Sequence, residues 1–115
     1  MTPKEIAKTA VAALEDKKGA DIKVLDTFAL TTLADYFVIC TASSTTQLKA
    51  LAGAVEEKLK TGGEQPHHIE GHRGNTWVLM DYSSVVIHLF LDEAREFYNL
   101  EKLWGDASQV DLSAQ

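Results

Sequence analysis

A β-hairpin is predicted by the segment Trp77-Val-Leu-Met-Asp-Tyr82-Ser-Ser-Val85-Val-Ile-His-Leu-Phe-Leu91. Two runs rich in β-branched and aromatic residues flank a pair of serines, as in antiparallel strands joined by a tight turn. Because successive side chains of a strand point to opposite faces, the residues of each face follow from the sequence. One face is apolar and contains Val78, Met80, Tyr82, Val85, Ile87, Leu89 and Leu91. The mixed face contains Trp77, Leu79, Asp81, Val86, His88 and Phe90.

The apolar face of the hairpin is predicted to lie in the core, because burying each such side chain stabilises the fold by about 1.5 to 3 kcal/mol. We expect the mixed face to be partly open, with Trp77, His88 and Phe90 accessible to solvent. In the alternative arrangement a C-terminal helix covers this face. Trp77 and Phe90 are then core residues, and Asp81 and His88 form a buried hydrogen-bonded pair.

The rest of the chain predicts helices and strands around this hairpin. Thr2-Pro-Lys-Glu5 is a capping box that opens a helix reaching Lys18, and Gly19 supplies a left-handed stop. Ser44-Thr-Thr-Gln47 is a second capping box, for a helix that ends at Gly62-Gly63. Strands are expected over residues 21–27, 36–41 and 67–70, and a final helix over residues 92–104.

Together these elements predict an α/β (α+β) fold, as a single compact domain with a mixed sheet of about five strands. The two amphipathic helices have one apolar stripe each, so we expect them to pack mainly on one face of the sheet. Residues 1–105 are assigned to this domain, and the polar residues 106–115 to a flexible tail.

Composition excludes several classes of function. The chain has 17 acidic and 11 basic residues, a net charge of -6, which argues against direct recognition of nucleic acid and favours a basic protein partner. No apolar run approaches the roughly 18 residues that span a bilayer, and the N-terminus resembles a helix start and not a signal peptide. The single cysteine, Cys40, lies in an apolar run and is predicted to be buried and inert. We therefore expect a soluble cytoplasmic protein without a membrane partner.

The sequence contains no complete catalytic or metal-binding motif. His67, His68 and His72 lie close together, but no cysteine or carboxylate set completes a tetrahedral metal site. Asp81 and His88 have no adjacent nucleophile, because the serines between them form the turn. Phosphate-binding loops and paired catalytic aspartates are also missing. We predict no catalytic residues, no metal and no cofactor, and hence a protein that is not an enzyme.

Aromatic and acidic residues instead indicate a docking surface. Trp77 and Asp81 lie on the mixed face of the hairpin, and Tyr98, Glu101 and Trp104 lie on the final helix. Large amphipathic side chains contribute much of the binding energy in protein interfaces. We predict that these five residues, together with His88, form a partner-binding site.

Seven segments, taken in order, match a known family: Asp21-Ile, Leu25-Asp26, Asp35-Tyr-Phe-Val-Ile-Cys-Thr41, Glu70-Gly71, Trp77-Val-Leu-Met-Asp81, Val86-Ile-His88 and Tyr98-Asn-Leu-Glu-Lys-Leu-Trp104. Over residues 3–105 the chain resembles the ribosomal silencing factor family, also called Iojap-like. The resemblance implies a nucleotidyltransferase-like topology without the catalytic aspartates. It further implies a translation repressor that binds the large ribosomal subunit through ribosomal protein fourteen and blocks joining of the small subunit. Family members often form homodimers.

Two segments depart from the usual family pattern. Thr41-Ala-Ser-Ser-Thr-Thr-Gln47 replaces Thr-Gly-Thr-Ser-Ser-Arg-His, and Tyr82-Ser-Ser84 replaces Leu-Gly-Asp. Two other functions remain open at this point: a nucleotidyltransferase-like enzyme with a rearranged active site, and a metal-binding module that uses the three histidines.

Overall fold

A computed structural model of the protein describes residues 1–26, 35–71 and 77–91, together with the backbone of residues 108–109. The elements in chain order are α1 (Pro3–Asp16), β1 (Ala20–Asp26), β2 (Tyr36–Ala42), α2 (Thr45–Thr61), β3 (His68–Glu70), β4 (Trp77–Asp81), β5 (Val85–Leu91) and β6 (Ser108–Gln109). The strands form one sheet in the order β3-β4-β5-β2-β1-β6.

The sheet is mixed, as predicted. β5 and β2 pair in parallel at its centre, and the other neighbouring strands are antiparallel. The predicted hairpin is confirmed by the register of β4 and β5, which pairs Trp77 with Phe90 and Asp81 with Val86. Five strands carry the fold, and β6 adds two residues at one edge. These two residues, Ser108 and Gln109, pair with Asp26 and Leu25 of β1. They belong to the segment that we predicted to be a flexible tail.

The main core lies between the apolar face of the sheet and the two helices. It joins the buried stripes of α1 and α2 to the apolar face of the hairpin, including Val78, Met80, Tyr82, Val85, Ile87 and Leu89. Leu91, the last member of that face, is half-buried against the same cluster. The predicted packing of the helices on one face is thus confirmed. Cys40 is fully buried in this core, as expected. No described helix is long and apolar enough to cross a membrane.

The C-terminal end of α1 differs from the prediction. The capping box of Thr2 and Glu5 is present, but the helix ends at Asp16, and Lys18 takes the left-handed conformation with φ 61°. Gly19 was expected there and does not adopt it. Instead, Gly19 allows close packing, since a Cβ at this position would overlap the thiol sulfur of Cys40.

The first turn of α2 is only half of the predicted capping box. The Ser44 hydroxyl accepts from the Gln47 backbone N–H at 3.1 Å, as expected. The Gln47 side chain does not return this bond: its Oε1 accepts from the backbone N–H of Ser43 at 2.6 Å, and its Nε2 donates to the carbonyls of Lys17 and Lys18 at 3.2 and 3.0 Å. Gln47 therefore links the end of α1 to the beginning of α2.

We predict that Gln47→Ala lowers the free energy of unfolding by about 1 kcal/mol, because it removes hydrogen bonds between two distant chain segments at a half-buried site. Urea denaturation measures the difference. Thr46→Ala, one residue earlier in the same helical turn, is the matched control and should change stability by less than about 0.5 kcal/mol. Equal stabilities of the two variants would contradict the linking role of Gln47.

Candidate functional site

The mixed face of the hairpin extends across the whole sheet. Pairing of β3 with β4 places His68 opposite Asp81 and Glu70 opposite Leu79. Because paired residues point to the same side, His68 and Glu70 belong to the mixed face. On the other side of the hairpin, β2 contributes Phe37 and Ile39 opposite Val86 and His88. The mixed face therefore includes side chains of β2 and β3 in addition to those of the hairpin.

The centre of the mixed face is a second core. Leu25, Phe37, Ile39 and Phe90 are buried together, and Trp77 and Val86 are half-buried against them. Phe90 is 1% exposed and His88 is 7% exposed, so our expectation that both are accessible to solvent is wrong. The physical reason lies in side-chain packing on this face: Phe90 clusters with Leu25, Phe37 and Ile39, and the His88 ring lies against the rings of Phe37 and Phe90. Trp77, on β4, is less enclosed.

His88 is buried, and none of the described residues forms a hydrogen bond with its ring. Its ring lies 5.0 Å from that of Phe37 and stacks at 6.1 Å on that of Phe90, measured between centroids. In the part of the chain that the structure describes, neither Nδ1 nor Nε2 has a hydrogen-bond partner, so the alternative of a buried Asp81–His88 pair is also wrong. Asp81 instead accepts from the backbone N–H of Ser83 at 2.7 Å, in the hairpin turn. Burial lowers the pKa of His88 to about 4.

The part of the mixed face near β3 is more open, and we call it the edge patch: His68, Glu70, Trp77, Leu79 and Asp81. The last three are half-buried, whereas His68 and Glu70 are exposed. His68 Nε2 lies 2.9 Å from Glu70 Oε1. Trp77 stacks on Phe90 with ring centroids 6.4 Å apart and planes inclined by 26°. The edge patch thus combines one anchored aromatic ring with two carboxylates.

The structure locates only part of the predicted partner-binding site. Trp77 and Asp81 lie in the edge patch, and His88 lies beside it on β5, against Phe37 and Phe90 of the second core. Tyr98, Glu101 and Trp104, with the predicted final helix, are outside the described residues. Sequence reasoning missed His68 and Glu70 as members of the same face. Their alternation with Ile69, which packs on the main core, was the available signal.

The described residues do not favour either alternative function. No group of three or more His, Cys, Asp and Glu side chains among them could hold a metal ion. His72, the third histidine of the proposed cluster, is outside the described residues. A groove of about 770 Å³ runs between α1 and α2, but its described lining contains no histidine or cysteine. Asp16 at its rim accepts from Lys58 Nζ at 2.8 Å, which lowers the pKa of the carboxyl.

Comparisons of the sequence and of the structure with known proteins agree on one family. The model of the family described as "Ribosomal silencing factor during starvation" matches residues 1–115. The ribosomal silencing factor RsfS of Bacillus subtilis is 43% identical over 112 residues, which cover 97% of this chain and 95% of the relative. The protein of the same name from Chromobacterium violaceum is 46% identical over 105 residues, covering 91% and 86%. A crystal structure of a Chromobacterium violaceum protein superposes with a TM-score of 0.89 at 46% identity, covering 91% of this chain and 88% of that one.

A more distant relative is named for an organelle ribosome. The mouse protein "Mitochondrial assembly of ribosomal large subunit protein 1" is 37% identical over 108 residues. The match covers 91% of this chain and 47% of the mouse protein, so the chain spans about half of that relative.

We predict that His88 makes the protein less stable in acid. The pKa of His88 is 6.5 in the unfolded chain and about 4 in the fold, so the unfolded chain binds more protons between these values. The contribution to stability is complete above pH 6.5 and is lost as the pH falls to about 4. The pKa difference corresponds to about 3 kcal/mol.

The test compares urea denaturation of the wild type and His88→Leu from pH 7 to pH 4. The stability of the variant relative to the wild type should rise by about 3 kcal/mol across this range. His68→Asn, which removes an exposed histidine, should leave the acid-dependent loss in place. Parallel stability curves for wild type and His88→Leu would contradict the prediction.

Proposed function

Because this chain belongs to the ribosomal silencing factor family, we propose that it represses translation by binding the large ribosomal subunit and preventing the small subunit from joining. The proposed contact is ribosomal protein fourteen, and the mechanism is steric exclusion without catalysis. The observation that carries the proposal is the edge patch, where an aromatic ring fixed on a buried layer lies beside two carboxylates. The name of the mouse relative supports the choice of the large subunit.

Trp77 is the proposed anchor of the contact. Its half-buried indole rests on Phe90, which is itself fully buried, so the ring has little freedom to lose when a partner covers it. A preorganised aromatic side chain binds more tightly because less conformational entropy is lost on association. Tyr98, Glu101 and Trp104 of the C-terminal segment complete the proposed contact.

Glu70 and Asp81 are proposed to face basic groups of the partner. One oxygen of Asp81 accepts from the turn N–H, and a carboxylate has further lone pairs for an arginine or lysine. The net charge of -6 favours encounter with a basic surface. Such charge pairs at the rim of an interface increase the association rate more than they increase affinity.

His88 has a supporting part in this proposal. Since it is 7% exposed, a partner bound at the edge patch does not reach its ring without rearrangement. Its stacking on Phe90 instead holds the layer on which Trp77 rests. The resemblance also implies a cytoplasmic location and a homodimer, and both are part of the proposal.

Steric exclusion requires only that a folded protein occupy the surface of the large subunit that the small subunit would contact. The chain measures 33 × 32 × 26 Å along its principal axes. A body of this size on the face of the large subunit that meets the small subunit would fill space that the joined ribosome requires. The two helices lie on the side of the sheet away from the edge patch, so they would project from the large subunit when the patch is bound.

The proposal predicts cosedimentation of the purified protein with isolated large subunits, and not with small subunits or with joined ribosomes. Added before the subunits are mixed, the protein should also reduce the fraction that joins in a sucrose gradient. Equal binding to both subunits would contradict the proposal, and so would binding to large subunits without any reduction in joining.

We further predict that Asp81→Asn weakens binding to large subunits by about 1 to 2 kcal/mol while stability changes by less than about 0.5 kcal/mol. The asparagine oxygen can still accept from the Ser83 N–H, so the turn is kept and only the charge is lost. Glu57→Gln, which removes one exposed negative charge from α2, is the control and should bind normally. If both variants lose the same affinity, net charge and not Asp81 is responsible.

A further inference from the structure

We propose that Gly71 is a positioning residue that fixes the backbone and the indole ring of Trp77 at the edge patch. This inference rests on the proposed function, because it assigns Trp77 to the contact with the large subunit. It adds a residue that makes no contact of its own with the partner.

Gly71 is in direct contact with Trp77. It follows the last residue of β3, and Trp77 is the first residue of β4. A Cβ at Gly71 would overlap the carbonyl oxygen of Trp77 and would lie 3.1 Å from its carbonyl carbon. The same atom would lie 3.3 Å from Cε3 on the edge of the indole ring. The α-carbon of Gly71 therefore borders both the backbone and the ring of Trp77.

Two neighbours constrain the position of the indole. Gly71 borders the ring at Cε3, and Phe90 stacks on it from the neighbouring strand. The carbonyl that Gly71 touches belongs to the residue paired with Phe90, so a displacement of this carbonyl would also disturb the stacking. A side chain at position 71 would move the anchor relative to Asp81 and Glu70. Affinity would fall because the three groups would no longer match one partner surface.

Glycine is required at position 71 for a reason beyond its backbone conformation. Its φ of +73° alone favours glycine, but asparagine also adopts this region at small cost. The contact with Trp77 leaves no room for an asparagine side chain unless Trp77 moves. Gly63 provides the contrast, since it has φ +90° and no atom within 4 Å of a Cβ at that position. Both glycines have a positive φ, but only at Gly71 would a Cβ meet another residue.

The experiment compares Gly71→Asn, Gly63→Asn and Trp77→Ala in the full chain. Affinity is measured by titrating isolated large subunits in a sedimentation assay. The environment of the indole is followed by fluorine NMR of protein labelled with 5-fluorotryptophan, in which Trp77→Phe identifies the Trp77 signal. Urea denaturation shows whether each variant unfolds cooperatively.

We expect Gly71→Asn to unfold cooperatively, to shift the Trp77 signal and to lower affinity about tenfold or more. Gly63→Asn should leave the Trp77 signal and the affinity unchanged. If Trp77→Ala weakens binding but Gly71→Asn does not, the positioning role is wrong and the proposed function stands. If Trp77→Ala binds like the wild type, the docking role of Trp77 is wrong, whatever Gly71→Asn does. A Gly71→Asn chain that does not fold would assign Gly71 to fold formation and would also overturn the inference.

Discussion

Burial of the hairpin's apolar face beneath α1 and α2 is the constraint on which the rest of the structure depends. The side-chain period of a strand is two, so a slip of one residue would move the whole apolar row from the core to the opposite side. With about 1.5 to 3 kcal/mol for each large side chain, several residues together make that slip unfavourable. The same register places Trp77, Asp81 and His88 on the other face. The candidate site is therefore a consequence of how the core is packed.

The position of a strand within the sheet explains what the sequence could and could not predict. Local alternation correctly assigned each hairpin residue to a face, and capping residues located both helices to within two residues. Alternation does not reveal which strand is central, because the parallel pairing of β2 with β5 joins segments far apart in the chain. On the mixed face, Phe90 packs with Phe37 and Ile39 of β2, and the ring of His88 lies against that of Phe37. Trp77, although on the same face, lies one strand closer to the edge and is half-buried.

One residue from each of the two segments that depart from the usual family pattern has a role in a turn or a helix end. Gln47, which stands where the family has histidine, uses both ends of its amide to join the helix termini. Ser83, which stands where the family has glycine, has φ +71°, a conformation that costs a residue with a Cβ about 1 to 2 kcal/mol. The hydrogen bond from its N–H to Asp81 stabilises this turn locally. Neither role follows from a motif, because each depends on the partner that the fold brings within reach.

The unpartnered imidazole of His88 connects the second core with the proposed function. A buried polar group without a hydrogen bond is unfavourable by about 1 to 3 kcal/mol, and an apolar residue would avoid this loss. Such unfavourable features are expected at sites that serve a function other than stability. The ring of His88 stacks on that of Phe90, which in turn stacks on that of Trp77, and the main core of the described residues has only the Tyr82 hydroxyl as a comparable group. The position of this imidazole therefore supports the mixed face, and not the helical side, as the functional surface.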